Sequence, residues 1–229
     1  MSQKVLLLAV CVTLLTAGAF AAPITIGTAQ SGNCYPFMCN DSGTSSGVSI
    51  DYQQVYTSSA FSGPVMINSI TFSSTLFSFS LLSGNYNIYL GYTNAAVNGL
   101  SSSLASNVVS QSLFGSYAFP TTVTATAGSV TFFGAFSYNP SMGNLLMEVI
   151  ASNQANVPNG SGNGYMDADY SGSVTSRAYC LTGFGCVADP VGVVTTFDTS
   201  TVVPEPSSVL LLGTGLLGAA GALRRKFAF

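Results

Sequence analysis

Short stretches in which apolar and polar residues alternate constrain the fold of this chain more than any other feature. Tyr86, Ile88, Leu90 and Tyr92 are each separated by one residue, a period of two that is typical of a strand with one buried face. Further apolar runs, rich in β-branched and aromatic residues, are PVMINSITFSS, SVTFFGAFSY, NLLMEVIAS, SRAYCLTG and VGVVTTFDTS. Clusters of Gly, Pro, Asn and Ser separate these runs. Many short strands joined by such turns predict an all-β domain built as a sandwich.

The stretch NGLSSSLASN departs from this alternation. Leu100 and Leu104 are four residues apart, Asn98 is a candidate N-cap, and Asn107 closes the stretch. This pattern predicts a short helix or a structured loop over the sheet edge.

The predicted domain spans residues 22–202 and is nearly devoid of basic residues. Arg177 is its one cation. Its acids are Asp41, Asp51, Glu148, Asp167, Asp169, Asp189 and Asp198. This acidic balance excludes nucleic-acid binding by neutralisation of phosphates. Low charge combined with frequent Tyr and Phe is not a signature of disorder, so the composition indicates a secreted β-protein.

The first residues have the parts of a secretory signal peptide. Lys4 precedes an apolar run over residues 5–17, and Ala19-Phe20-Ala21 follows that run. Ala19 and Ala21 fit the small-residue positions of a cleavage site, so we expect signal peptidase to remove residues 1–21. An uncleaved membrane anchor is the alternative, and the run is short for one.

A second apolar stretch, residues 207–223, contains no charge. As a helix it would rise roughly 25 Å, slightly less than the roughly 30 Å hydrocarbon core, and it predicts a single C-terminal transmembrane helix. Arg224, Arg225 and Lys226 follow as stop-transfer cations, which predicts that the domain faces outward and this basic tail inward. A buried core helix is the alternative reading of the stretch.

Val203, Pro204, Glu205 and Pro206 lie between the domain and this stretch. The prolines fix their own φ and favour extended backbone at the residues before them, which predicts a stiff stalk bearing one carboxylate. V-P-E-P, followed by an apolar run rich in Leu and Gly and then by R-R-K, resembles the PEP-CTERM sorting signal of Gram-negative bacteria. The same C-terminal segment is also known from ice-binding proteins.

This resemblance implies that residues 203–229 are a sorting segment recognised by exosortase. It implies export through the inner membrane, transient anchoring there, processing near Pro204, and a final place at the cell surface or outside the cell. Because the family accompanies exopolysaccharide and biofilm production, exopolysaccharide is an implied partner. The segments FSGPVMINSITF and YNPSMGNLLMEVI resemble an ectodomain type that occurs on such proteins, which implies a jelly-roll-like β-sandwich.

Four cysteines remain once the signal peptide is removed: Cys34, Cys39, Cys180 and Cys186. Export to an oxidising compartment makes disulfides the default. Four cysteines allow three connectivities, among which the sequence does not choose, and proximity favours Cys34 with Cys39 and Cys180 with Cys186. A four-thiolate zinc site is the alternative, although the spacings fit it poorly.

The acids give one candidate metal site. Asp167 and Asp169, with Asn163 nearby in GNGYMDADYSG, place oxygen ligands in a glycine-rich loop, and calcium is the candidate ion. A solvated acidic turn is the alternative, and we expect no other cofactor. Asp51 and Glu148 are the acids considered for glycoside hydrolysis, but nothing in the sequence pairs them.

These patterns favour a protein without catalytic residues. The chain has no histidine, no G-x-S-x-G motif and no phosphate-binding loop, so we expect no enzyme activity. The leading interpretation is a structural or adhesive protein of the extracellular matrix. The alternative is a carbohydrate-binding or, less favoured, ice-binding module, in which Tyr52, Tyr56, Tyr89 and Tyr92 could stack on sugar rings.

Overall fold

The computed structural model describes residues 22–39, 50–155, 164–181, 183, 185–201 and 215. The strands among them are β1 (Ile24–Ile26), β2 (Ser31–Asn33), β3 (Ile50–Tyr56), β4 (Val65–Ser74), β5 (Phe79–Leu81), β6 (Gly84–Thr93), β7 (Ser110–Phe119), β8 (Val123–Ala125), β9 (Gly128–Tyr138), β10 (Asn144–Ser152), β11 (Met166–Asp169), β12 (Thr175–Leu181), β13 (Gly185–Asp189), β14 (Gly192–Val193) and β15 (Thr195–Thr201). The 3-10 helices are Ser58–Ala60, Leu104–Asn107 and Pro140–Met142. The prediction of an all-β domain is confirmed.

Two antiparallel sheets hold most of these strands. The larger has six strands in the order β13-β12-β3-β10-β6-β7, and the smaller has four in the order β1-β15-β4-β9. A three-stranded sheet, β14-β11-β2, and the pair β5-β8 complete the domain. Alternation along each long strand turns one set of side chains inward, as the buried residues Tyr86, Ile88 and Leu90 of β6 show.

The inner faces of the two large sheets pack on one aromatic core. Tyr56 of the six-stranded sheet meets Phe197 of the four-stranded sheet edge to face, with ring centroids 5.0 Å apart. Tyr117 and Phe132 meet across the sheets at 4.8 Å. Such pairs add to the area that the rings bury and fix how the two sheets face each other. The domain is therefore a β-sandwich, as predicted.

Four of the antiparallel strand pairs are nested along the sequence. β1 pairs with β15, β3 with β10, β4 with β9, and β6 with β7, all antiparallel. Each pair lies inside the preceding one along the sequence, as in a single long hairpin that is rolled up. β12 and β13 extend the six-stranded sheet beyond β3.

A loop over residues 94–109, the covering loop, packs on the outer face of the six-stranded sheet. It joins β6 to β7 and contains the 3-10 helix Leu104–Asn107. The buried cluster that it forms with the sheet comprises Val55, Leu100, Leu104, Leu146 and Ala178. The predicted helix or structured loop thus exists, but it covers the middle of the face, over β3 and β10, instead of the sheet edge.

Asn98 does not cap this helix. Its backbone has a positive φ of 64°, and its side-chain amide donates to the carbonyl of Gly172 at 2.7 Å. The expectation of an Asn98 N-cap is wrong because the helix starts later in the loop, where Ser103 is the preceding residue.

No helix long and apolar enough to cross a membrane occurs among the described residues. The predicted span over residues 207–223 lies outside them, except for Gly215.

Candidate functional site

The sorting residues adjoin the sandwich directly in sequence. β15 ends at Thr201, two residues before Val203. The sorting motif at Val203, Pro204, Glu205 and Pro206 lies outside the described residues. The same holds for Arg224, Arg225 and Lys226, for the cleavage site at Ala19 and Ala21, and for Asn163 of the calcium site.

Both local disulfides are formed, which confirms the pairing favoured by proximity. Cys34 and Cys39 close a loop whose Phe37 is fully buried and stacks on Phe132 with centroids 5.1 Å apart. This disulfide therefore closes a loop that supplies part of the core and does more than restrain a surface turn.

The second disulfide joins the β12–β13 hairpin at directly opposite positions, Cys180 and Cys186. Because all four thiols are consumed in the two disulfides, none is available for the alternative zinc site.

The most unusual chemistry on the six-stranded sheet is a pair of carboxyl groups on its outer face. Asp51 of β3 and Glu148 of β10 are close enough for their side chains to hydrogen-bond. Glu148 is buried and accepts from Gln53 at 2.6 Å and from Gln111 at 2.9 Å. Asp51 is half-buried, and its Oδ1 has no hydrogen-bond partner among the described residues. The sequence did not pair these acids because β3 and β10 are distant along the chain.

Burial, and after it the nearby charge of Glu148, raises the pKa of Asp51 to about 7. Two carboxyl groups this close cannot both ionise cheaply, so the pair holds a proton near neutral pH. Among the described residues the only cation is Arg177, whose partner in the register of β3 is Gln54, on the opposite face of the sheet from Asp51. No cation therefore relieves the repulsion within the pair.

A hydrogen-bond chain connects the carboxyl pair to the covering loop. The amide of Gln53 donates to Glu148 and, at 3.2 Å, to the carbonyl of Leu104. The Gln53 oxygen accepts from the Asn107 amide at 2.9 Å. The protonation state of the pair and the seating of the loop are thus physically linked.

The geometry of the pair does not match that of glycoside hydrolysis. That reaction needs two carboxyl groups roughly 5 Å or more apart on either side of a substrate. Asp51 and Glu148 are close enough for their side chains to hydrogen-bond, and Glu148 is 7% exposed. The arrangement is suited to retaining a proton and to holding the covering loop in place.

Asp167 and Asp169 lie in β11 and not in a loop, and each is only 3% exposed. The alternative of a solvated acidic turn is therefore wrong. Asp167 accepts from the backbone N–H groups of Thr75 and Leu76 and, at 2.7 Å, from the Thr75 hydroxyl. A buried carboxylate with several donors is well satisfied, so Asp167 ties β11 to the turn after β4.

Asp169 binds a different segment from Asp167. Its carboxylate accepts from the N–H groups of Thr28 and Ser171 at 2.9 and 2.7 Å. Burial opposes ionisation of Asp169, but these hydrogen bonds outweigh burial and lower its pKa. The described residues contain no group of three or more acids or cysteines that could hold a metal ion. The calcium site, which includes Asn163, stays a prediction.

The four tyrosines considered for sugar stacking fall into two classes. Tyr52 and Tyr56 are fully buried in the core, so the expectation that they stack on sugars is wrong. Tyr92 stacks on Tyr138, and its hydroxyl accepts from the N–H of Asn139 at 2.9 Å. Tyr89 is half-buried on the outer face of the six-stranded sheet, directly opposite Glu148.

Arg177 is fully engaged within the domain. It donates to both carboxylate oxygens of Asp189 at 2.9 Å and also to Asn33. Its guanidinium lies 4.7 Å from the ring centre of Tyr179. Arg177 therefore offers no free positive charge to an anionic ligand.

The outer face of the four-stranded sheet bears a row of four threonines, the threonine row. The registers place Thr25 opposite Thr196, Thr196 opposite Thr71, and Thr71 opposite Thr131. The hydroxyls of the outer two pairs hydrogen-bond at 2.8 Å. Thr25 and Thr131 are exposed, and the other two are half-buried.

The threonine row has polar neighbours on the same face. Ser73 lies opposite Ser129 in the next row, and Asp198 lies on the other side. The sequence shows the threonines but not their alignment, because they come from four strands that only the fold brings into register.

Comparison with known proteins adds information at the C-terminal end of the chain. A family model described as the PEP-CTERM protein-sorting motif matches residues 202–226. No curated protein and no solved structure gives a significant match. The matched segment starts at the residue that follows β15. The chain therefore carries a PEP-CTERM protein-sorting signal directly after the sandwich, which supports an exported protein that exosortase sorts.

Proposed function

We propose that this chain is a non-enzymatic cell-surface or extracellular protein with a structural or adhesive role in an exopolysaccharide matrix. Signal peptidase would release residues 1–21, the stretch over residues 207–223 would anchor the protein in the inner membrane, and exosortase would process it near Pro204. The observation that carries the proposal is the PEP-CTERM motif, which directly follows the sandwich.

The domain has the features of an exported structural module. Two disulfides suit an oxidising compartment, and a domain whose only described cation is paired with Asp189 has little means to bind polyanions. The carboxyl pair of Asp51 and Glu148, together with Asp167, holds parts of the fold together, which is the role expected of such groups in a domain without catalysis.

We also infer a jelly-roll-like topology for the sandwich. The nested strand pairs and the two sheets that share them are what a rolled-up hairpin of two Greek keys produces. β12 and β13 are additions at one edge of this arrangement.

Glu205→Ala in the producing bacterium tests the sorting step. We expect export to continue while the unprocessed protein accumulates in the membrane, because the sorting motif loses its one carboxylate. Asp198→Asn is the control, since it removes an exposed carboxylate of the sandwich just before the motif. Normal processing of the Glu205→Ala protein, measured by its size in membrane and medium fractions, would contradict the proposal.

Carbohydrate binding is the second candidate, and the threonine row is the observation that favours it. A flat row of hydroxyls without a nearby cation suits a neutral polysaccharide, whose own hydroxyls can donate and accept. Ice binding is less favoured because Asp198 adjoins the row, which extends over only four strands.

A pull-down of the purified mature protein with insoluble neutral polysaccharides, such as cellulose, tests this candidate. Thr71→Val together with Thr131→Val keeps the side-chain shape and removes two hydroxyls, so binding should fall. Thr124→Val, on the exposed strand β8, is the matched control. Retained binding by the double variant, or no binding by the unaltered protein, would rule out this face.

Calcium binding at Asn163, Asp167 and Asp169 remains part of the proposal. An ion that binds the folded state alone would stabilise it by about 2.7 kcal/mol at a concentration 100-fold above Kd. Melting curves in millimolar calcium and in EDTA should then differ by roughly 5–10 °C. Magnesium is the control ion, because it demands a stricter geometry. Coincident curves would contradict the site and leave Asp167 as an internal hydrogen-bond acceptor.

A further inference from the structure

The C-terminal end of β15 identifies one end of the sandwich as the place where the chain leaves the domain. Thr201 lies opposite Val65, the first residue of β4, and Val65 lies opposite Tyr138, the last residue of β9. The connections over residues 57–64 and 139–143 are at the same end, because they join β3 to β4 and β9 to β10. We call these two connections, with Val109, the exit end.

The exit end contains no charged residue. Residues 57–64 read TSSAFSGP and residues 139–143 read NPSMG. The charged side chains of the described residues all belong to strands, and Asp198 is the nearest of them along the chain to Thr201. Asp189, the last residue of β13, lies toward this end of the six-stranded sheet, but its carboxylate is paired with Arg177. Met142 is 63% exposed and Val109 is 57% exposed, so this end presents apolar side chains to its surroundings.

The chain beyond the exit end is too short to hold the domain far from an anchor. Five residues, 202–206, separate Thr201 from the apolar stretch that begins at Ser207. Even fully extended, this tether spans roughly 20 Å. The headgroup layer itself is roughly 5–8 Å thick on each side of the hydrocarbon core. The tether therefore keeps the exit end close to the lipid headgroups whenever residues 207–223 are anchored.

We propose that, before processing, the exit end rests on the outer surface of the inner membrane, with Met142 inserted at the level of the headgroups. This inference rests on the proposed anchoring by residues 207–223. Its physical basis is that an uncharged end loses little hydration against lipid, whereas carboxylates there would lose hydration and be repelled by anionic headgroups. The charged strands and the threonine row would then remain in the aqueous phase, available to the matrix.

The inference can be tested with the full chain, freed of residues 1–21, in vesicles of phosphatidylethanolamine and phosphatidylglycerol. The four cysteines of the domain are consumed in disulfides, so Met142→Cys provides one thiol for an environment-sensitive fluorophore. Leu76→Cys is the control, because Leu76 is 52% exposed and follows β4 at the opposite end of the sandwich. Ser62→Cys, at an exposed position in residues 57–64, is a second probe of the exit end.

Headgroup spin-labelled lipids should quench the label at position 142 at least about threefold more than at position 76, because β4 separates the two depths by roughly 30 Å. Position 62 should resemble position 142. Flotation of the protein with the vesicles reports the anchor separately. Flotation with equal quenching at all three positions would overturn this inference and leave the anchor intact. Failure to float would overturn the anchor and this inference together.

Discussion

The two outer faces of the sandwich differ in how far their polar side chains are exposed to solvent. On the six-stranded sheet the covering loop buries Val55 and Leu146 together with the polar groups of Gln53 and Glu148, so each polar group needs an internal partner. On the four-stranded sheet the threonine row stays open or half-open, and its hydroxyls pair with one another at the surface.

The difference between the faces indicates on which face the stability of the domain depends on side-chain hydrogen bonds. A buried amide or carboxylate without a hydrogen-bond partner costs far more stability than an exposed hydroxyl, because water can hydrogen-bond to the exposed group. Changes on the covered face should therefore reduce stability, whereas changes on the open face should leave stability nearly unchanged. The following predictions test this contrast in order of decreasing effect.

Leu104→Ala should destabilise the domain by about 2–4 kcal/mol, because it removes a buried side chain from the cluster under the covering loop and leaves a cavity. Chemical denaturation of the mature protein measures the effect. Leu113→Ala is the control, since Leu113 is a 52% exposed leucine of β7, and it should cost less than about 1 kcal/mol. Equal costs for the two leucines would show that the loop does not bury this face in solution.

Gln53→Leu should cost about 1–3 kcal/mol, since it keeps the side-chain volume but leaves the Asn107 amide and a Glu148 oxygen without their partner. Gln111→Leu is the matched control. Gln111 is exposed and also donates to Glu148, so water can replace its hydrogen bond. If both variants unfold at the same denaturant concentration, the buried hydrogen bonds of Gln53 contribute no more stability than the exposed hydrogen bond of Gln111.

Asp51 should make stability depend on pH. Because its pKa is raised to about 7 in the folded domain, the folded state retains a proton that the unfolded chain releases from about pH 4 upward. The stabilisation that Asp51 contributes should be fully present below pH 4 and should decrease as the pH rises to 7. After solvent screening of a half-buried group is allowed for, the loss is roughly 1 kcal/mol.

Asp51→Asn should flatten this part of the profile, because the amide cannot ionise. Denaturation at pH 5 and pH 8, on the unaltered protein and on the Asn variant, measures the difference. Asp198→Asn, which removes an exposed carboxylate of the open face, is the control variant. A profile that Asp51→Asn does not alter would mean that Asp51 titrates normally and that the pair is not coupled.

Thr71→Ala should have the smallest effect, less than about 0.5 kcal/mol, because it removes one partially exposed hydroxyl from a surface pair. Thermal or chemical denaturation measures it, and Thr175→Ala is the buried counterpart. The Thr175 hydroxyl donates to the carbonyl of Val55 inside the fold, so its loss should cost more. A larger cost at Thr71 than at Thr175 would reverse the contrast between exposed and buried hydroxyls.

Local patterns were enough to predict several parts of this protein. The period of two at Tyr86, Ile88 and Leu90 predicted a strand with one buried face, and β6 has that pattern. The spacing of Cys34 and Cys39 favoured the disulfide that forms. The V-P-E-P segment and the cations beyond it identified the sorting motif that the family model matches. These features depend on neighbours within a few residues, so the sequence contains all of their information.

Other parts depended on the pairing of distant strands. Asp51 and Glu148 form a pair only because β3 and β10 align them, and Tyr52 and Tyr56 are buried because that face of β3 turns inward. A one-residue change of register would exchange the two faces of a strand, and nothing local in the sequence fixes the register. The sequence by itself determined the all-β class and the sorting signal, and it favoured the disulfide pairing without fixing it. The tertiary structure alone decided which acids meet, which tyrosines are buried, and where the threonine row lies.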